Sequence, residues 1–264
     1  MHRPPSPPHP GPAVRGVKAG EPLADLAPAA RALARRIDVS AVQASNARVD
    51  VESLATIARR YGFISAHVLP GWVPLLRSLL EGSSTLVGAP VGFPAGGSTT
   101  TVKVVEARDL LDAGVQEMDV VVNIGRLRSG DTDYVRHELN AIAEAIGHAV
   151  PLKVILEVGY LDEGQIRAGC EAAIEAGADF VKTGTGWSGR PTTIEHVRLI
   201  LGFVGGAIEI KASGGIRELD TVLEMERLGV TRFGINTPAA VALLEEATRR
   251  ATMDRGDGGG ASPA

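Results

Sequence analysis

Two lysines stand where short apolar runs give way to turn-forming residues. Phe180 and Val181 precede Lys182, which Thr-Gly-Thr-Gly follows, and an Ile-Glu-Ile run precedes Lys211, which Ala-Ser-Gly-Gly follows. Each pattern predicts a buried strand that ends in an amine and then opens into a loop. The chain has only five lysines, so chance is a poor explanation for this repeated placement. The alternative is that both are ordinary strand-end cations that face water.

A lysine in such a place can act as a nucleophile towards an aldehyde or ketone. The neutral amine attacks the carbonyl, releases water and forms an iminium, which withdraws electrons from the neighbouring C–C or C–H bond. Lysine is protonated at neutral pH because its reference pKa is about 10.4, but burial and a second cation both lower that pKa. We expect Lys211 to supply the second charge beside Lys182, from a strand one removed in the sheet.

Asp119 lies in a β-branched run and offers a carboxylate for proton transfer. We predict that it accepts and returns the proton at the carbon next to the imine, directly or through a water. The alternative is a buried ion pair with one of the lysines. The two roles are compatible, because an ion pair can also relay a proton.

The pair Gly214-Gly215 precedes a predicted helix that starts near Arg217. Backbone N–H groups at such a loop, together with the helix dipole, favour an anion such as a phosphate. A Gly-Gly pair also occurs simply as a tight turn, so both interpretations stay open.

Strand and helix patterns alternate along the chain, from a weak first strand at residues 34–39 to a last helix at 238–250. About eight strand–helix units over roughly 220 residues predict an α/β fold, a TIM (β/α)8 barrel in a single domain. A doubly wound open sheet is the second possibility. That fold normally has a glycine-rich phosphate loop after its first strand, and none follows Val39.

The carboxyl ends of barrel strands converge on one mouth. We expect nine side chains to meet there: Asp38, His67, Phe93, Asp119, Asn123, Glu157, Lys182, Lys211 and Asn236.

The composition fits one large domain between two tails. The chain has 264 residues, of which 44% are hydrophobic. We predict a disordered Pro-rich tail at residues 1–20, a barrel domain at 21–252 and a disordered Gly-rich tail at 253–264, because the tails have little apolar surface to bury.

Charge and cysteine content exclude several classes of protein. A net charge of −4 without a basic face argues against a nucleic-acid partner. No apolar run is long enough to cross a membrane, and the N-terminus lacks a secretion signal. The single cysteine, Cys170, fits a reducing compartment, so we expect a cytoplasmic protein. A homodimer is a further expectation, with no surface patch assigned to it.

Four motifs in matching order resemble the deoxyribose-phosphate aldolase family. They are Phe-Val-Lys-Thr-Gly-Thr-Gly at 180–186, Lys-Ala-Ser-Gly-Gly-Ile-Arg at 211–217, Glu-Met-Asp-Val-Val-Val-Asn-Ile-Gly at 117–125 and Gly-Phe-Pro-Ala-Gly at 92–96. The similarity runs from about residue 37 to residue 241, nearly the whole folded part.

The resemblance implies a TIM barrel and a class I aldolase that uses neither a metal nor another cofactor. It implies that Lys182 forms the Schiff base, Lys211 is the second lysine and Asp119 relays the proton. The reaction would join acetaldehyde to glyceraldehyde 3-phosphate, reversibly. The expected substrate and phosphate contacts are Asp38, Thr185, Gly186, Gly214, Gly215, Gly234 and Asn236.

Departures from the family pattern cluster where hydroxyls and phosphate of a substrate would lie. Gly184 replaces a serine, Asn236 and Thr237 replace two serines, and Pro238 lacks a backbone N–H. His67 stands where many members have cysteine, and we expect it to line the pocket rather than bind a metal.

The departures leave two other functions open. One is aldol chemistry on a different sugar or aldehyde, including unphosphorylated ones. The other is a non-catalytic phosphosugar-binding protein, which the retained pair of lysines and Asp119 argue against because binding alone needs no such trio.

Overall fold

The computed structural model describes residues 24–257 as a closed barrel of eight parallel strands. The strands pair in chain order, and the first closes against the last. They are β1 (Ile37–Ala41), β2 (Ser65–Val68), β3 (Leu86–Val91), β4 (Glu117–Val121), β5 (Leu152–Ile155), β6 (Phe180–Lys182), β7 (Glu209–Ser213) and β8 (Arg232–Asn236).

Helices cover the outside of the barrel and alternate with the strands. They are α1 (Pro28–Ala34), α2 (Arg48–Tyr61), α3 (Val73–Leu79), α4 (Thr100–Asp112), α5 (Ile124–Arg128), α6 (Thr132–Ile146), α7 (Glu163–Glu175), α8 (Ile194–Val204), α9 (Leu219–Leu228) and α10 (Thr237–Asp257). This architecture confirms the predicted TIM barrel.

The structure moves two predicted boundaries. Ala34 ends helix α1, so the first strand begins at Ile37 rather than at residue 34. An alanine-rich stretch with proline at its first helical position favours that helix over a strand. Helix α10 continues to Asp257, past the predicted start of the C-terminal tail at 253, because no glycine interrupts the chain before residue 256. The predicted tail at 1–20 and residues 258–264 of the second predicted tail lie outside the described range.

The strands place apolar side chains against the helices and polar ones inside the barrel. In β1, Ile37, Val39 and Ala41 belong to the apolar core, while Asp38 and Ser40 face the interior. Successive side chains of a strand point to opposite faces, so a period of two sorts them. The interior also receives His67, Glu117, Asp119, Lys153, Lys182, Lys211 and Arg232.

A buried ion pair joins helices α4 and α6 outside the barrel. Lys103 and Glu138 are both fully buried, with 2.8 Å between Nζ and Oε2. Lys103 also donates to the carbonyl of Val121 at 2.7 Å, and Glu138 accepts from the backbone N–H of Asn123 at 3.1 Å. The pair therefore satisfies backbone groups at the end of β4 as well as each other.

Within residues 24–257, no helix combines the length and apolar character needed to span a membrane.

Candidate active site

A cavity of about 430 Å³ opens at the carboxyl ends of the strands. All ten predicted catalytic and substrate-contact residues line it: Asp38, Asp119, Lys182, Thr185, Gly186, Lys211, Gly214, Gly215, Gly234 and Asn236. His67 and Phe93 line it too, as expected.

Two residues expected at the mouth have other roles. Asn123 caps helix α5, where its side chain accepts from the N–H of Arg126. Glu157 is buried in the left-handed backbone region, at φ 57°, and its carboxylate accepts from the backbone N–H and the hydroxyl of Thr185. Glu157 thus fixes the loop after β6 instead of facing a ligand, and it occupies the space beside Gly184, where an added Cβ would lie 2.9 Å from Oε1.

The two lysines are direct neighbours. Lys182 on β6 pairs in register with Lys211 on β7, so the expected intervening strand does not exist. One oxygen of Asp119, Oδ2, accepts hydrogen bonds from both amines, at 2.7 Å from Lys182 Nζ and 2.8 Å from Lys211 Nζ. A single carboxylate therefore links both amines at the floor of the cavity.

Their surroundings give the two amines different proton affinities. The side chain of Lys182 is 11% exposed to the cavity. Burial is the main cause that lowers its pKa to about 8, and the charge of Lys211 lowers it further, against the opposing effect of Asp119. A substantial neutral fraction near neutral pH makes Lys182 the better nucleophile of the pair.

Lys211 is held as a cation. Burial alone would lower its pKa, but the carboxylates of Asp119 and Asp38 outweigh burial and raise the pKa above its ordinary value. The Nζ of Lys211 lies 2.6 Å from Asp38 Oδ2. Burial would raise the pKa of Asp119, yet the charges of Lys182, Lys211 and Lys153 hold it well below its usual range. Asp119 is therefore an anion that can accept a proton only when a neighbouring charge changes.

One part of the cavity lining combines the two glycine-containing loops with the guanidinium of Arg190. The loop after β6 packs on the loop after β7, where the N–H of Thr192 donates to the carbonyl of Gly214 at 2.9 Å. Gly215 has φ +77°, and a Cβ there would lie 2.9 Å from Pro191 Cβ, so the close approach requires glycine. The Nη1 of Arg190 donates to the carbonyl of Gly159 at 2.7 Å. This part of the lining suits an anion.

His67 lies close to two carboxylates, but the set does not favour a metal. Asp38, His67 and Glu117 offer ligand atoms within 4.8 Å of one another. Asp38 and Glu117 each already contact the guanidinium of Arg232 at 2.7 Å, so their negative charges are balanced without a metal ion. Burial lowers the pKa of His67, which keeps the imidazole neutral at pH 7. A Cβ at Gly88 would lie 2.3 Å from the ring, so glycine makes room for it.

Four charged residues in or near the site are not predicted from the sequence. Arg190 lines the cavity, while Glu117, Lys153 and Arg232 lie beneath it. The available signal was the recurrence of charged residues at every second position of buried strands, as in Glu117 and Asp119. A fully buried strand of a soluble protein rarely carries such charges unless they are paired.

Comparisons with known proteins agree with this geometry. Residues 36–230 match the family described as DeoC/LacD family aldolase. The chain is 56% identical over 227 residues to a deoxyribose-phosphate aldolase of Sinorhizobium medicae, covering 86% of this chain and 90% of that protein. It is 50% identical over 216 residues to a deoxyribose-phosphate aldolase of Klebsiella pneumoniae, covering 81% of this chain and 86% of that protein.

Solved structures resemble the whole barrel. The structure of QR15, an aldolase, superposes with a TM-score of 0.77 at 36% identity, covering 83% of this chain and 97% of that one. A deoxyribose phosphate aldolase from Aeropyrum pernix, described as having a unique tetrameric structure, superposes with a TM-score of 0.75 at 30% identity, covering 82% and 91%.

Proposed function

Because the chain belongs to the DeoC/LacD family of aldolases, we propose that it reversibly cleaves 2-deoxy-D-ribose 5-phosphate into acetaldehyde and D-glyceraldehyde 3-phosphate. In this proposal Lys182 attacks the sugar carbonyl and forms an iminium. The iminium withdraws electrons from the C–C bond, which breaks while Asp119, directly or through a water, accepts the proton of the C3 hydroxyl, and the products are an enamine and glyceraldehyde 3-phosphate. Asp119 then returns that proton to the enamine carbon, directly or through a water, and hydrolysis frees acetaldehyde and the amine.

One observation carries the proposal. Of the two amines that share Asp119, Lys182 is the more exposed, at 11% against 2% for Lys211, and its pKa is lowered to about 8. Lys211 stays charged beside it, which supports a role in holding the carboxylate rather than attacking substrate.

Borohydride reduction tests the proposal directly. We expect peptide mass spectrometry to find a reduced adduct on Lys182 after incubation with 2-deoxyribose 5-phosphate, and separately with acetaldehyde. An adduct with acetaldehyde alone would keep the Schiff base but direct attention to another acceptor aldehyde. No adduct from folded protein would contradict the proposal.

The reaction should depend on pH through Lys182. The amine must be neutral to attack, and its pKa lies near 8, so roughly a tenth is neutral at pH 7. Adduct formation with acetaldehyde should therefore rise about tenfold from pH 6 to pH 7 and level off above pH 8. Rapid-quench trapping across pH 5.5–9.5 measures this. A flat profile, or a midpoint near the ordinary lysine value, would contradict the assignment of Lys182.

Arg190 should matter for phosphorylated substrates. We expect Arg190→Gln to raise KM for 2-deoxyribose 5-phosphate by about 10-fold to 100-fold, since a charge-assisted hydrogen bond contributes about 1.5–3 kcal/mol. Steady-state kinetics with unphosphorylated 2-deoxyribose should change less than about twofold. Arg128→Gln, at an exposed arginine outside the cavity, is the control and should leave both unchanged. Equal losses for both sugars would rule out phosphate recognition by Arg190.

A cytoplasmic location is part of the proposal. Cys170 is buried, and burial raises its pKa to about 12, so it is a structural thiol suited to a reducing compartment. Homodimer formation stays a prediction, which light scattering of the purified protein would test.

A further inference from the structure

Six charged side chains form a closed ring of alternating sign inside the barrel, below Lys182. Three are cations and three are anions, and each cation contacts two carboxylates. The order around the ring is Asp38, Lys211, Asp119, Lys153, Glu117, Arg232 and back to Asp38.

Lys153 and Arg232 make four contacts in the ring, of which three are 2.9 Å or shorter and one is longer. Lys153 Nζ lies 2.9 Å from Glu117 Oε2 and 3.4 Å from Asp119 Oδ1. Arg232 donates to Glu117 Oε1 and to Asp38 Oδ1, each at 2.7 Å. The Lys153 contacts lack hydrogen-bond geometry, so they act through charge rather than through directed bonds.

Lys182 is a seventh charge that the ring does not balance. Among the residues that the structure describes, it contacts a single carboxylate, Asp119, on an oxygen that Lys211 already occupies. The groups that face it are Asp119 from β4, Lys211 from β7 and Asp38 from β1, while Lys153 and His67 act on Asp119 from β5 and β2. An unbalanced charge in a buried site is the one that neutralises.

We propose that Glu117, Lys153 and Arg232 are positioning residues that keep the ring neutral and so make Lys182 the amine that gives up its proton. None of the three lines the cavity, so they do not contact substrate. They act through Asp119 and Asp38, whose charge and place they fix. The inference rests on the proposed Schiff-base function of Lys182.

Removing single ring charges should move the pH profile in opposite directions. Lys153→Met leaves the ring with an excess negative charge, which stabilises the Lys182 ammonium, so the midpoint for acetaldehyde trapping on Lys182 should rise by about one unit. Glu117→Gln leaves an excess positive charge, so the midpoint should fall by about one unit. The first variant should be slow at pH 7 and recover at pH 9.

The double variant Glu117→Gln/Lys153→Met separates charge from structure. It removes one charge of each sign, so its midpoint should return to within about 0.3 units of the wild-type value. Arg232→Gln removes a cation from the other side of the ring and should shift the midpoint upward, as Lys153→Met does. Arg232→Gln therefore replaces Lys153→Met as the test of an upward shift if Lys153→Met does not fold.

Three outcomes would contradict the proposal. Lys153→Met and Glu117→Gln could shift the midpoint in the same direction, or the single variants could lower the plateau rate without moving the midpoint, as a purely structural role requires. Failure of all three single variants to fold while the double variant folds would assign the ring to stability alone. Absence of any Lys182 adduct in the wild-type protein would instead contradict the proposed function, and the two failures are thereby distinguished.

Discussion

Lys182→Met is expected to abolish turnover of 2-deoxyribose 5-phosphate, with a loss of at least about 10³-fold in kcat. Methionine keeps the length and the apolar stem of lysine but has no amine to attack a carbonyl. The fold should tolerate the change, because Lys182 contributes the charge that the site leaves unbalanced, and its hydrogen bond to Asp119 is shared with Lys211. A coupled assay of glyceraldehyde 3-phosphate release measures the loss.

Lys211→Met is the matched control for the Lys182 substitution. It also removes an amine that contacts Asp119, so activity should fall. The borohydride adduct on Lys182 should nevertheless persist at pH 9, where a substantial fraction of that amine is neutral although loss of the Lys211 cation raises its pKa. An adduct on Lys211 in the wild-type protein, or undiminished turnover in Lys182→Met, would exchange the roles assigned to the two lysines.

Lys103→Met is expected to destabilise the protein by about 3–5 kcal/mol without touching the cavity. The substitution leaves Glu138 fully buried without its cation and leaves the carbonyl of Val121 without its donor. Burial already raises the pKa of Glu138, so loss of the ammonium favours its protonated form further. Urea unfolding measures the change in free energy.

Two comparisons identify the cause of that loss. The double variant Lys103→Met/Glu138→Gln removes both charges and keeps an acceptor for the N–H of Asn123, so it should recover part of the stability. Arg136→Met breaks a helix–helix ion pair with Glu175 at the surface and should cost about 1 kcal/mol or less. Equal losses in Lys103→Met and Arg136→Met would show that burial of the Lys103 pair carries no special weight.

The barrel could be predicted from the sequence because its signals are local. Asp162 and Thr193 cap their helices as their types predict, and Gly177 and Gly229 follow helix ends in the left-handed conformation. Apolar runs bounded by these residues locate the strands within a few positions. The sequence pattern places the first strand too early, because Arg35 and Arg36 interrupt the pattern and residues up to Ala34 belong to helix α1.

The spacing of the two lysines in the sequence does not by itself determine which one is the nucleophile and which one is the assisting cation. Both end or nearly end a strand and both precede glycines, so residue types alone give no physical reason for the expectation that Lys211 assists Lys182 rather than the reverse. What separates them is the number of carboxylates within contact, one for Lys182 and two for Lys211. That number depends on which strands close the barrel, since β1 brings Asp38 to Lys211 only after pairing with β8.

Glu157 and Asn123 also show that a position at the end of a strand does not determine the direction of a side chain. Both follow strands, so their position predicted the mouth, but each side chain turns to a backbone N–H instead. Strand ends position a side chain near a site, whereas hydrogen bonds to loops decide where it points.

The charged interior has a consequence for how this protein can diverge. A single substitution in the ring leaves a buried charge unpaired, which lowers the free energy of unfolding by about 3–5 kcal/mol. This is a large share of a typical stability of about 5–15 kcal/mol. Compensating pairs of substitutions avoid that intermediate cost only when they arise together. The exposed loops that carry Arg190 and Arg217 face no such barrier. New substrate preferences are therefore expected to arise by mutation in these loops, while the ring beneath Lys182 is inherited unchanged.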